Sequence, residues 1–179
     1  GCLIDEVVAI RPLEPLDIDA IYVAASSSVA ELSRWLPWCQ PGYRREDTEA
    51  FAVAQPAAWE AGSEYSFVVE GADTGELLGG VGLKAVEIDF GCAELGYWVR
   101  TDRTRTGVAS RATRLLARWG METLGLERIQ IMMAIENVAS QRVAEKAGAT
   151  REAILRRRIR LHGKPHDAYI YALFPEDLT

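Results

Sequence analysis

Cysteine is scarce in this 179-residue sequence: Cys2, Cys39 and Cys92 stand far apart, with no CxxC pair. Three dispersed thiols exclude a disulfide framework. Histidine is scarcer, with only His162 and His166. Without a cluster of ligands, no metal is expected. No run of about 18 apolar residues occurs, so no transmembrane helix is expected. The opening GCLIDEVV carries acids where a secretory signal carries bases, so no signal peptide is read there. Positive charge is also short, with 20 Lys and Arg against 26 Asp and Glu, a net charge of -6. That balance argues against non-specific nucleic-acid binding and mildly favours cationic partners. The phosphate patterns GxxxxGK[ST] and GxGxxG are both missing. No repeat, low-complexity segment or linker divides the chain. The expectation is a cytoplasmic protein with one domain over residues 1–179, long enough to bury a core without disulfides or metal.

The apolar pattern alternates between two periods. EVVAIRPLE (Glu6 to Glu14) reads as a strand that Pro12 and Pro15 end. Asp17 is placed to cap a helix through Ile18, Ile21 and Tyr22. Ser28 with Glu31 has the spacing of a capping box, and Pro37 stops the helix that this box would start. A third helical stretch, REDTEAFAVAQPAAWEAG, contains Pro56 as an expected kink. Three strands come next in EYSFVVE, TGELLGGVGLKAVEID and CAELGYWVRTD, spaced as a meander. From Gly107, Val108, Ala112, Leu115, Leu116 and Trp119 fall on one helical face. RIQIMMAI is a short buried strand, VASQRVAEKAGA a short helix, and REAILRRRIRLHGKPHDAYIYAL a hairpin turning at His162 to Pro165. Strands on both sides of the Gly107 helix need a crossover if they are parallel neighbours. The pattern implies an α/β arrangement: a mixed, mostly antiparallel central sheet with helices on both faces.

RTRTGVASRA (Arg103 to Ala112) lies between a strand and a helix. Its backbone N–H groups are the unpaired donors of a helix start, which carries partial positive charge and accepts phosphate. Gly107 allows close approach, Arg103 and Arg105 add charge, and Thr106 and Ser110 add hydroxyls. Taken alone, the segment serves equally as a capped helix with solvated arginines.

TRTGVA (Thr104 to Ala109) resembles the pattern [Q/R]-x-x-G-x-[G/A] of the GCN5-related N-acetyltransferases. NVASQRVAEKAGA, from Asn137, is similar to their later motif, and the two lie at the family's spacing. AELGYWV, LSRWLPW and the ending HDAYIYAL resemble the RimJ/RimL branch, so the likeness spans nearly the whole chain. It implies acetyl-CoA as donor and a primary amine as acceptor. It implies that the pantetheine arm lies along the backbone of Trp98, Val99 and Arg100. The pyrophosphate would sit on the amides of Arg105, Thr106, Gly107, Val108, Ala109 and Ser110. Asn137 would contact the cofactor arm and Ser140 would lie near the sulfur. Two positions depart from the pattern. Thr104 replaces Gln or Arg, for which Arg103 or Arg105 would substitute. Ala144 stands where many members carry an acidic tyrosine, which makes Ser140 the replacement.

The chemistry sets further requirements. A backbone N–H near Val99 would stabilise the oxyanion. A thiol of pKa about 8.5 leaves with little help. An α-amine of pKa about 8 is roughly a tenth neutral at pH 7, whereas lysine at about 10.4 is neutral in under one part in a thousand. Glu94 shares a strand face with Gly96 and Trp98 and is the candidate base or acceptor-orienting group. An exposed or salt-bridged strand carboxylate is the plainer account of it. Trp35 and Trp38 read as core aromatics or as walls of the acceptor cleft, and Tyr171 as a packed strand residue or a cleft residue. Arg156, Arg158 and Arg160 alternate away from Arg157 and Ile159, as on a solvated strand. The expected function is direct acetyl transfer to an amine, either a peptide N-terminus such as a ribosomal protein's or a small amine. A CoA-binding sensor without catalysis is the alternative, and a nucleic-acid module a distant third. Acetyl-CoA and the amine are the expected partners, with no membrane and a homodimer left open.

Overall fold

The computed structural model describes residues 1–179. Eight strands form one sheet: β1 (Leu3–Ile4), β2 (Val8–Pro12), β3 (Tyr65–Gly71), β4 (Leu77–Glu87), β5 (Cys92–Val99), β6 (Arg128–Ala134), β7 (Thr150–Leu161) and β8 (Lys164–Leu173). Their spatial order is β1-β2-β3-β4-β5-β6-β8-β7. Every neighbouring pair is antiparallel except β5 with β6. A parallel pair cannot be joined by a tight turn, so the chain crosses over through a helix. That helix is α4 (Val108–Leu124). The other helices are α1 (Ile18–Ser26), α2 (Val29–Leu32), α3 (Arg45–Glu60) and α5 (Val138–Lys146). The expected mixed, mostly antiparallel sheet between helices is therefore the fold observed.

Alternation along the strands divides the apolar residues between two layers. On one face Tyr65, Phe67 and Val69 of β3 and Ala93 and Leu95 of β5 meet Val108, Ala112 and Leu116 of α4. Each large aliphatic side chain buried there contributes about 1.5–3 kcal/mol relative to exposure. Trp59 at the end of α3 and Trp119 of α4 pack their rings on Tyr65 and Phe67. On the other face, Ile21 and Ala24 of α1 cover Val68 and Leu77, with Trp98 at the margin.

Three local expectations are corrected. Ser28 does not cap α2. Its hydroxyl donates to Ala24 O (2.8 Å) and accepts from the Thr101 amide (3.0 Å), tying α1 to the end of β5. Asp17 makes no side-chain cap on α1; its carboxylate pairs with Arg11 at 2.7 Å and accepts from the Glu14 amide. The arginines of β7 do not alternate regularly. The register steps from Leu155↔Ala168 to Ile159↔His166, so Arg156, Arg157 and Arg158 stand opposite Asp167 alone. Arg157 has φ 53 there, and its amide donates to Asp167 Oδ1 at 2.8 Å. Such a bulge re-aims the side chains it carries. The hairpin turns at His162 and Gly163, both with positive φ, as a two-residue turn requires. Helix α3 runs through Pro56 to Glu60.

Candidate active site

The helix-start loop has the backbone of an anion site. Arg105 at φ 65 and Gly107 at φ 81 are both left-handed, which turns successive amides outward. None of the amides from Thr104 to Ser110 donates to an acceptor within the protein. The hydroxyls are already engaged: Thr104 with Thr101 O, Thr106 with Arg103 O, and Ser110 with Gly107 O. The loop therefore offers amide donors, as a pyrophosphate requires. Glu76 holds two of the nearby arginines. Its carboxylate takes Arg100 at 2.7 Å and Arg103 at 2.9 Å, and Arg100 is also held by Asp102. Arg105 forms no ion pair with the protein and remains exposed.

Beside the loop, the sheet opens. The β5–β6 pairing covers only Cys92↔Arg128, Ala93↔Ile129 and Glu94↔Gln130. Both strands continue for several residues, β5 to Val99 and β6 to Ala134. They therefore diverge and leave strand-pairing groups in the gap. The Arg100 amide donates to Leu78 O of β4 at 2.8 Å. By ladder alternation Trp98 also turns its polar backbone groups toward β4, while Tyr97 and Val99 turn theirs into the gap. Of the expected trio, Val99 thus faces the gap, and Tyr97 joins it. Close packing with β4 rests on glycine: a Cβ on Gly79 would meet Trp98 O at 2.1 Å, and one on Gly80 would meet Trp98 Nε1 at 2.5 Å.

Tyr97 is the functional candidate that sequence reasoning missed. Its hydroxyl lies 2.6 Å from Ser140 Oγ and 3.0 Å from Ser140 O. Burial pushes its pKa up to about 12, against the opposite pull of the Ser140 bond. It is therefore a protonated donor at neutral pH. Ser140 is fixed from below, because Asn137 caps α5 by accepting the Ser140 amide at 3.2 Å. The signal was present in the strand: Tyr97 alternates with Glu94, Gly96 and Trp98, so it faces α5 when they face α1.

On that opposite face, Glu94 is directly across from Lys84, with Oε1 3.5 Å from Nζ and the carboxylate side chain mostly covered. Trp98 meets Trp38 edge-on at 5.8 Å, and Trp38 meets Tyr43 at 5.8 Å. Trp38 remains exposed on this wall, while Trp35 is half-buried with Arg34 over its ring. Tyr171 lies elsewhere. It is 1% exposed in the core and donates to Glu145 of α5 at 2.9 Å, so it offers an acceptor no surface. Burial and the Glu145 carboxylate push its pKa up to about 12. No group of three or more His, Cys, Asp or Glu is arranged to hold a metal, and no helix is long and apolar enough to cross a membrane.

A sheet that opens after one parallel pair, next to a helix start with free amides, is the arrangement that the resemblance to acetyltransferases implies. The chain belongs to the acetyltransferase (GNAT) domain family, which matches residues 8–150. It is similar to the N-acetyltransferase YoaA of Bacillus subtilis, 33% identical over 105 residues, although the match spans only 59% of each chain. It is 26% identical over 98% of its length to YdaF of the same organism, provisionally named a ribosomal N-acetyltransferase, and covers 96% of that protein. Its fold matches RimL, a ribosomal-protein alpha-N-acetyltransferase solved in complex with coenzyme A. That match has a TM-score of 0.90 over the whole of both chains, at 20% identity. The chain is accordingly an acetyl-CoA-dependent N-acetyltransferase, and the non-catalytic alternative is not favoured.

Proposed function

We propose that this enzyme acetylates the α-amine of a protein or peptide N-terminus in the cytosol, with a ribosomal protein as the type of acceptor. The ribosomal naming of the full-length relative YdaF supports that acceptor class. The observation that carries the chemistry is the Tyr97–Ser140 pair at 2.6 Å beside the opening between β5 and β6.

Bound acetyl-CoA supplies an activated thioester with a thiol leaving group. The amides of Arg105 to Ser110, with the Arg105 guanidinium, bind its phosphates. The Val99 N–H polarises the acetyl carbonyl. When Tyr97 turns its one proton from Ser140 O to Ser140 Oγ, the Ser140 proton is freed for the departing sulfur. A serine alone is a weak acid, and a buried neutral tyrosine behind it keeps that hydroxyl proton-rich. Glu94, on the opposite face with Trp98 and Trp38, receives or orients the amine proton. An α-amine needs only this modest assistance, because roughly a tenth of it is neutral at pH 7.

The test is free-thiol release from acetyl-CoA across N-terminal peptides, lysine side-chain peptides, polyamines and small amines. α-Amine peptides should turn over fastest. Turnover confined to polyamines or small amines would sink the acceptor class, and CoA binding with no thiol release from any amine would sink catalysis.

A further inference from the structure

The β7–β8 hairpin carries charge opposite to the rest of the molecule. From Thr150 to Leu173 the hairpin has six cations, five of them arginine, against the carboxylates of Glu152 and Asp167. Glu152 is already taken by Arg128 at 2.7 Å, and Asp167 by the Arg157 amide at 2.8 Å. Arg156, Arg157, Arg158, Arg160 and Lys164 are all exposed, and none forms an ion pair within the chain. In a protein with net charge -6, such a concentration of unpaired cations is a local field that favours an acidic partner.

Its position connects it to the acceptor side. Asp167 accepts the Arg157 amide through its carboxylate and the Ile135 amide (3.0 Å) through its carbonyl. The bulge is therefore level with the end of β6, two residues before Asn137. The hairpin then runs on beyond the sheet. Its tip residues Arg160, Leu161 and His162 close a small cavity against Ser33, Pro37 and Gln40. Pro37 adjoins Trp38, the ring that meets Trp98. The arginine bulge and the aromatic wall thus belong to one approach route.

Resting on the peptide-acceptor reading above, we propose that Arg156, Arg157, Arg158 and Arg160 form a docking surface for acidic residues downstream of the acceptor's amine. The favoured substrate is a peptide whose first residue enters between Trp38 and Glu94 and whose following residues carry carboxylates along the hairpin. Exposed charge pairs are individually weak, so several must act together. RNA carries a charge on every nucleotide, so the overall negative charge opposes it more than a peptide with a few carboxylates, and RNA is the less favoured occupant.

Peptides sharing one N-terminal residue, with Glu, Gln or Lys at positions four to eight, test this. At low salt the Glu series should show a KM lower than the Lys series by roughly tenfold, narrowing sharply in 0.5 M salt. The double variant Arg157→Glu/Arg158→Glu, checked by thermal melting, should reverse the preference toward Lys. Equal KM values for all three series, or a preference that survives charge reversal, would overturn the proposal. A labelled Glu peptide that binds in an arginine-dependent way without being acetylated would uphold the docking surface and remove the acceptor reading. Binding of an oligonucleotide through these arginines with no peptide preference would overturn the proposal. So would a salt-sensitive dimer that the double variant abolishes, with no peptide preference.

Discussion

The Tyr97 hydroxyl of β5 lies 2.6 Å from the Ser140 hydroxyl of α5, across 43 residues of sequence. The pair bridges the gap between strand and helix where β5 and β6 have separated. On the reading proposed above, it stands in for the missing tyrosine of the later motif, since Ala144 is fully buried and carries no acid.

Tyr97→Phe should lower kcat by roughly tenfold to a hundredfold with a smaller change in KM for acetyl-CoA. Ser140→Ala should behave similarly. If the two act as one relay, the double variant should be little worse than the worse single. Multiplicative losses in steady-state kinetics would dismiss the relay.

Alkaline stability depends on the same tyrosine. Its folded pKa of about 12 lies above the ordinary value of 10. A raised pKa contributes stability that is complete below pH 10 and is lost as pH rises toward 12, because the unfolded chain loses the proton first. Thermal melting should therefore fall from pH 10 upward, by about 1 kcal/mol at pH 11 from this group. Tyr97→Phe should show a shallower alkaline decline. An identical decline would assign the effect to other groups, Tyr171 among them.

Glu94→Gln should flatten the acidic limb of the pH–rate profile, with the larger effect on kcat. Lys84→Met, which removes the cation 3.5 Å from Glu94, should lower kcat less than Glu94→Gln does. An acidic limb that Glu94→Gln leaves in place would return Glu94 to a strand salt bridge.

Arg105→Ala should raise KM for acetyl-CoA several-fold with kcat nearly kept, as expected for a phosphate contact made equally before and during reaction. Gly107→Ala has room for its Cβ, whose nearest neighbour is Arg111 Nε at 3.9 Å, but forces φ 81 on an L-residue. It should cost about 1 kcal/mol of stability as well as raise KM. Arg103→Ala should affect KM less than Arg105→Ala, since Glu76 already holds Arg103. The reverse ranking in titrations with CoA would reassign the phosphate contact.

Local signals were dependable wherever neighbours in sequence decide the outcome. The strand periods of β3 to β6 and the crossover helix from Gly107 stand where apolar spacing and glycine put them. Ser28 shows where such signals fail. Its spacing to Glu31 fits a capping box, yet its hydroxyl is claimed by Ala24 and by Thr101, 73 residues away. The arginines of β7 show the same in a strand, since alternation breaks where Asp167 of the partner strand captures the Arg157 amide.

The sequence by itself determined the element order, the amide-bearing helix start and the two motifs at family spacing, because hydrogen bonding along a helix and alternation along a strand are local. Only the tertiary structure decided which groups meet. It drew Arg100 and Arg103 onto Glu76, buried Tyr171 against Glu145, opened β5 from β6 after three pairs, and set Tyr97 on Ser140. Those choices depend on which surfaces exclude water together, and residues distant in the chain make that contact in space.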